Sequence, residues 1–207
     1  VVIYNDHGLN FFLDKMPTFA VGAAPEYHHA DEGWGLPVVA PFKGDLDLSW
    51  HLVNTLVEHE FDIVSCQEML VDHAFTVPME LLWPGGSKGQ WPVKAIPICV
   101  NTVQFPIPSA RRAFKLGEAI GVALDSWESD ARVLVMGTGG LSHQLDGERA
   151  GFMNKEFDLR FMESLVTQPD WATQYSPVEL VELTGSQGVE LINWLAARAA
   201  LNGPARK

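Results

Sequence analysis

The stretch Arg132-Val133-Leu134-Val135-Met136, followed by Gly137-Thr138-Gly139-Gly140, decides the fold of this sequence. The apolar run predicts a buried strand, and the glycine-rich turn ends it. The sequence opens on a similar unit, because the apolar run Val1–Tyr4 leads directly into Asn5-Asp6-His7. Helical patterns alternate with these strands. The sequence therefore predicts an α/β fold, with three α/β/α layers around a central mixed sheet.

Further elements are expected between and after these two strands. Ser109 is the predicted cap of one helix, and helices are expected over about 46–60, 109–127, 154–167, 176–184 and 188–200. Residues 61–64 and 93–103 are β-like, and Pro97 indicates a sheet edge or a bulge. Residues 25–47 are rich in glycine, proline and acidic residues, which predicts a long ordered loop.

The composition limits the classes of protein that this sequence can encode. Its 207 residues are 47% hydrophobic and 19% charged, which predicts one folded domain over residues 1–207. The net charge of −12 argues against nucleic acid as a partner, since an acidic surface repels phosphate. No apolar run reaches the roughly 20 residues that a membrane span needs, so no membrane is expected either.

The two cysteines and the first residue bear on the cellular setting. Cys66 and Cys99 lie in apolar stretches and form no Cys-x-x-Cys pair, which excludes a zinc ribbon or a thioredoxin-type site. Buried reduced thiols in a cytoplasmic protein are the simplest interpretation, and a disulfide between them stays open. The sequence begins inside a predicted strand and without Met, so we expect residues to be missing at its front.

The histidines differ in how firmly the chain is predicted to hold them. His7 directly follows a buried strand, a rigid position that suits a metal ligand. His143 follows a strand and a glycine turn, and His73 follows Asp72, whose carboxylate can orient the ring. Solvent-exposed or structural positions are expected for the other four, His28, His29, His51 and His59.

The glycine turn matches neither of two known motifs. A dinucleotide-binding fingerprint needs a third glycine where Ser142 stands, and a nucleophile elbow needs a glycine where Gln144 stands. A tight turn that presents His143 remains. Glu190 lies among apolar residues at the start of a predicted helix. Its carboxylate therefore either points to solvent or is paired with a cation.

Seven segments, in order, span nearly the whole chain: YNDH (4–7), PTFAVG (17–22), ADEGWG (30–35), VDH with a following TVP (71–78), GTGGLSHQ (137–144), ERAGF (148–152) and GVELINWL (188–195). Together they resemble the class III extradiol dioxygenases, in particular the group of protocatechuate 4,5-dioxygenase beta chains and gallate dioxygenases. No single segment is decisive, but the ordered set is highly specific.

The resemblance implies an iron site. The family holds Fe(II) with two histidines and one glutamate; His7 is similar to the second histidine and Glu190 to the glutamate. His143 resembles the catalytic acid–base, and His73 a second active-site histidine near the substrate. The first metal histidine of the family lies upstream of the YNDH strand, and family members continue beyond the end of this chain. We therefore expect a catalytic domain truncated at both ends, the alternative being that His73 or His28 supplies the third ligand.

The resemblance also implies a reaction and partners. A catechol-type aromatic acid would be opened by O₂ beside its diol, with His143 moving protons and His73 stabilising charge or positioning a ring oxygen. Trp34 favours protocatechuate and the stretch 147–152 favours gallate, so protocatechuate, gallate and 3-O-methylgallate all stay open. A small alpha chain that covers the site and an oligomeric assembly are the expected protein partners.

Three other functions compete with this one. They are a metal-dependent hydrolase of similar α/β layering, a non-catalytic aromatic-acid binding protein and a nicotinamide oxidoreductase, which the failed glycine pattern disfavours. Oxygen consumption in the presence of a catechol separates the dioxygenase from the hydrolase, and the joint presence of His7, His73, His143 and Glu190 argues against a non-catalytic binding protein.

Overall fold

The computed structural model describes residues 1–33, 35, 38–85, 88 and 91–206. Its strands are β1 (Val2–Tyr4), β2 (Phe19–Gly22), β3 (Glu26–His29), β4 (Phe42–Lys43), β5 (Val64–Cys66), β6 (Leu70–Val71), β7 (Pro97–Val100) and β8 (Met136–Gly137). Its helices are α1 (Leu46–Glu58), α2 (His73–Leu82), α3 (Ala110–Asp125), α4 (Lys155–Thr167), α5 (Pro177–Thr184) and α6 (Leu191–Ala199). No helix among these residues is both long enough and apolar enough to cross a lipid bilayer.

A five-stranded sheet in the order β5-β2-β7-β1-β8 forms the centre of the fold. Strand β1 runs parallel to both of its neighbours, β7 and β8, and β2 runs parallel to β5. The β2–β7 pair is antiparallel, so the sheet is mixed. The prediction of an α/β fold with a central mixed sheet is therefore confirmed.

Both faces of this sheet are buried, because alternate residues of a strand point to opposite sides. Ile3, Val21 and Ile98 contribute to one hydrophobic core, which they share with residues of α1, α3 and α6. Tyr4 and Cys99 contribute to a second core on the other face. That face is covered by α2 together with a small sheet of order β4-β3-β6, so its outer layer combines a helix with strands.

Several local predictions hold and others are wrong. The five predicted helices are present within a few residues, the last one preceded by a short 3-10 helix over Gly188–Glu190. Pro97, however, begins a central strand, where the missing N–H of its first residue is tolerated. Strands β3 and β4 interrupt the stretch that was predicted to be a loop.

The apolar run before the glycine turn departs most from its prediction. Only Met136–Gly137 forms a strand, with Met136 opposite Val2 and Gly137 opposite Ile3. Val133 and Leu134 are 38% and 54% exposed. Since β1 begins at Val2, most of the run has no β1 residue opposite it, so it cannot complete a ladder with that strand.

The parallel pairing of β1 with β8 brings two chain segments together at one end of the sheet, where the carboxyl ends of both strands lie. Both strands end there, so the residues after β1 and the glycine turn after β8 become neighbours. Gly137 lets α6 approach β8 closely, because a Cβ atom at this position would lie 2.4 Å from the Asn193 carbonyl oxygen. This close approach brings Glu190, at the start of the helical segment, to the same end of the sheet.

The packing of α3 against α6 depends on Gly117. A Cβ atom there would lie 2.1 Å from the Ala196 carbonyl oxygen, which is backbone and cannot move aside. We expect Gly117→Ala to lower the free energy of unfolding by about 1–2 kcal/mol, since overpacking outweighs the gain in helix propensity. Urea denaturation measures this. Gly203→Ala is the control, because nothing lies within 4 Å of its Cβ position; equal midpoints for the two variants would contradict the packing argument.

Candidate active site

His7 lies just beyond β1 and is held by the carboxylate of Asp72. Oδ2 of Asp72 accepts the backbone N–H of His7 at 2.7 Å and lies 2.9 Å from its Nδ1. Oδ1 accepts the backbone N–H of Ala74 at 3.0 Å and so caps α2. An ionised carboxylate only accepts hydrogen bonds, so Nδ1 of His7 is the protonated nitrogen. Nε2 is therefore the nitrogen that His7 presents to the site.

Glu190 faces that nitrogen instead of solvent. Its Oε1 lies 3.3 Å from Nε2 of His7 and accepts the side-chain N–H of Asn5 at 3.1 Å. Its Oε2 accepts the backbone N–H of Gly140 at 3.2 Å. Asn193 donates to Asn5 at 3.1 Å and so holds the amide in place. The carboxylate is therefore fixed in a buried position at the end of the sheet.

The charges of His7 and Glu190 are strongly coupled. Burial lowers the pKa of His7, but its hydrogen bonds to Asp72 and Glu190 outweigh burial and raise this pKa to about 10. Burial raises the pKa of Glu190, but the hydrogen bonds from His7 and Asn5 and the nearby charges of His7 and His143 together outweigh burial, so the net shift of this pKa is downward. A positive charge between the two side chains is thus strongly favoured. A proton on Nε2 or a metal ion supplies it.

His73 stacks on His7, with ring centroids 4.4 Å apart and an angle of 24° between the planes. Glu32 holds His73: Oε1 accepts its backbone N–H at 2.6 Å, and Oε2 lies 2.6 Å from its Nδ1. The sequence suggested Asp72 as the residue that orients His73. That expectation is wrong, since Asp72 orients His7 and the more distant Glu32 orients His73.

Two sets of side chains could hold a cation here. Ligand atoms of His7, Asp72 and His73 lie within 4.8 Å of one another. Both oxygens of Asp72, however, already accept N–H groups. The nearly parallel rings of His7 and His73 also cannot aim their in-plane lone pairs at one ion without rotating. The pair His7 and Glu190 faces a common point and fits a metal ion better.

His143 lies beside this pair, in the turn after β8. Its Nδ1 donates to the Leu141 carbonyl oxygen at 2.7 Å, which leaves Nε2 as the basic nitrogen. Its backbone N–H donates to Thr184 at 2.8 Å, and its carbonyl accepts from Gly188 at 3.1 Å. A Cβ atom on Gly140, whose N–H binds Glu190, would lie 2.8 Å from the His143 ring. The fold therefore brings together all four side chains that the sequence singled out.

Three of the remaining histidines have surroundings that the structure defines. His51 is structural, with Nε2 2.8 Å from the Ala123 carbonyl oxygen, and the His28 side chain is 57% exposed, as predicted. His29 was predicted to face solvent and instead is buried, because strand β3 alternates between exposed and buried residues. Trp34, the residue that favours protocatechuate, lies outside the described residues.

Sequence reasoning missed several residues that support the site. Asp6 accepts backbone N–H groups from Gly8, Leu9, Asn10 and Phe11 and shapes the turn around His7. Burial raises the pKa of Asp6 despite these hydrogen bonds. Asn5 and Asn193 are buried polar residues; Asn5 donates to Glu190, and Asn193 donates to Asn5. Their polarity inside apolar segments was the available signal, since buried polar groups need partners.

Comparisons with known proteins give matches over most of the chain. The family model described as the catalytic LigB subunit of aromatic ring-opening dioxygenase matches residues 1–207. A gallate dioxygenase of Pseudomonas putida is 40% identical over 84% of this chain and 50% of its own length. A 2,3-dihydroxyphenylpropionate/2,3-dihydroxicinnamic acid 1,2-dioxygenase of Photorhabdus laumondii is 38% identical over 69% of this chain and 42% of its own length. The chain thus spans about half the length of these two relatives.

A third relative aligns over more of its length. It is a 2,3-dihydroxyphenylpropionate/2,3-dihydroxicinnamic acid 1,2-dioxygenase of Dechloromonas aromatica, 29% identical over 99% of this chain and 77% of its own length.

The hydrogen bonds that Asp72 accepts from His7 and Ala74 should contribute to the free energy of unfolding, which can be measured. We expect Asp72→Asn to lower the free energy of unfolding by about 2–3 kcal/mol, because the amide nitrogen must face one of the buried N–H donors. Asp45→Asn is the matched control. Asp45 also caps a helix, but it is partly exposed, and asparagine caps equally well, so the loss should stay below about 0.5 kcal/mol. Urea denaturation with a chelator present compares the two, and equal losses would contradict the role of Asp72.

Proposed function

The chain belongs to the family of catalytic LigB subunits of aromatic ring-opening dioxygenases, and on that premise we propose that it is the Fe(II)-dependent, extradiol-cleaving part of such an enzyme. The observation that carries the proposal is the 3.3 Å approach of His7 Nε2 to Glu190 Oε1. An imidazole nitrogen and a carboxylate oxygen that face each other favour a cation between them. His143 lies next to this pair and can exchange protons.

The residues present fit a bound iron ion. Histidine nitrogen and carboxylate oxygen are ligands of non-haem Fe(II) in oxygenases, and His7 and Glu190 supply one of each. Asp72 accepts the Nδ1–H of His7 and so supports the ring as a second carboxylate commonly does at metal sites. When bound, the metal would hold catechol and O₂ together and pass electrons between them. A third protein ligand stays a prediction of the family resemblance.

His143 is proposed as the acid–base group. Its Nδ1–H is fixed on the Leu141 carbonyl oxygen, so Nε2 is available to take a proton from a phenolic hydroxyl. The same nitrogen can return the proton to an oxygen of the opening ring. An imidazole suits both steps, because its ordinary pKa lies near neutral pH.

The substrate is proposed to be a catechol-type aromatic acid, with O₂ as the second substrate. The relatives named for gallate and for dihydroxyphenylpropionate favour a ring that carries vicinal hydroxyls and an acid group. His73, stacked on His7, is proposed to contact a ring oxygen. Protocatechuate, gallate and 3-O-methylgallate remain the candidate acids.

The cellular setting and the assembly are also proposals. Cys66 and Cys99 are free and buried, which supports a reducing compartment such as the cytoplasm. A small alpha chain over the site and an oligomeric state stay predictions from the resemblance.

Glu190 tests the metal assignment. We expect Glu190→Gln to weaken Fe(II) binding by more than about 100-fold, since loss of a ligand exceeds the effect of losing a supporting residue. Anaerobic titration with elemental analysis measures this. Glu26→Gln is the control, because Glu26 is 54% exposed and lies on β3 beside the exposed His28. Wild-type iron content in the Glu190 variant would show that another carboxylate holds the metal.

His143 tests the acid–base assignment separately. We expect His143→Gln to keep its iron but to lower kcat for oxygen uptake with a catecholic acid by about 10²–10⁴-fold, the usual contribution of general acid–base catalysis. An oxygen electrode and iron analysis on the same sample give both values. His28→Gln, at an exposed position, should leave both unchanged. A wild-type rate in the His143 variant would remove this residue from the mechanism.

A further inference from the structure

Glu32 repeats at His73 the arrangement that Asp72 makes at His7. In both pairs one carboxylate accepts the backbone N–H of a histidine and also lies within hydrogen-bond distance of its Nδ1. For His73 both distances are 2.6 Å. The Glu32 side chain is only 3% exposed. Each of the two stacked imidazoles therefore has its own carboxylate at Nδ1, Asp72 for His7 and Glu32 for His73.

His29 lies beside the carboxylate of Glu32. Nδ1 of His29 accepts the backbone N–H of Val39 at 2.9 Å, so the ring proton of neutral His29 must lie on Nε2. That nitrogen is 3.5 Å from Glu32 Oε1 and 3.5 Å from the hydroxyl oxygen of Thr76. The His29 side chain is 3% exposed. Two buried side chains, His29 and Glu32, therefore lie between strand β3 and His73.

We propose that Glu32 is a positioning residue that fixes the tautomer of His73, with the proton on Nδ1 and Nε2 as the acceptor. An ionised carboxylate accepts only, so the 2.6 Å contact requires a donor on Nδ1. Nε2 of His73 then accepts a hydrogen bond from a donor such as a phenolic hydroxyl. The tautomer follows from the contact between Nδ1 and Glu32. Its use toward a substrate hydroxyl rests on the proposed function.

The tautomer gives Glu32→Gln an unusual expected effect. Glutamine has one acceptor oxygen where glutamate has two. The backbone N–H of His73 cannot lose its proton, so the amide oxygen stays opposite it. The amide NH₂ then faces Nδ1, which must become an acceptor, and the ring proton moves to Nε2. The variant keeps the size of the side chain, and its histidine tautomer is inverted.

Nitrogen NMR of the ¹⁵N-histidine-labelled protein reads out this inversion. Spectra are recorded with a chelator over a range of pH, and the tautomer is determined where the ring carries a single proton; His73→Gln assigns the signals. In the wild-type protein we expect a protonated Nδ1 on His73, and in Glu32→Gln a protonated Nε2. Glu26→Gln, the same substitution beside the exposed His28, should leave the His73 signals unchanged. A proton on Nε2 in the wild type, or on Nδ1 in Glu32→Gln, would overturn the proposal.

Kinetics then link the tautomer to the reaction. In Glu32→Gln we expect unchanged iron content and a loss of about 10–100-fold in kcat/KM for the catecholic acid, the usual effect of removing a supporting carboxylate. An inverted tautomer with wild-type kcat/KM would refute a role of Glu32 in the reaction. If the wild-type protein opens no catechol, the proposed function fails, and the NMR result still decides the tautomer.

Discussion

The hydrogen bonds from His7 to Asp72 are the constraint on which the site depends. They hold the ring that follows β1, place its proton on Nδ1 and present Nε2 to Glu190. Asp72 is fully buried and also caps α2. One carboxylate therefore contacts both the residue that follows β1 and the first turn of α2, and its charge acts on the His7 ring. Despite burial, the hydrogen bonds to Asp72 and Glu190 raise the pKa of His7.

The fold places the other site residues by bringing segments that are distant in sequence to one end of the central sheet. Parallel pairing of β1 and β8 places His7 beside the glycine turn. Close packing of α6 on Gly137 brings Glu190 to the same point, where Gly140 and Asn5 hold its carboxylate. Each candidate side chain is thus attached to regular structure or anchored by backbone hydrogen bonds, which a preorganised site needs.

Much of this was predictable from the sequence, and what was not has a physical reason. The helices followed from their periodicity, and His7, His73, His143 and Glu190 from their motifs. The apolar run 132–136 was misleading, because apolar character predicts burial only where a partner strand is available, and β1 pairs with its last residue alone. The role of Glu32 depends on a contact 41 residues away along the chain, which local patterns do not encode.

The central claim is that a metal ion lies between His7 and Glu190. Anomalous diffraction at the iron edge, from crystals grown with Fe(II) without oxygen, tests it most directly. One iron peak is predicted at about 2.0–2.2 Å from Nε2 of His7 and from a Glu190 carboxylate oxygen, the usual range for these ligand types at a transition metal. A peak bound to Asp72 and His73 instead, or ordered iron remote from His7, would contradict the assignment.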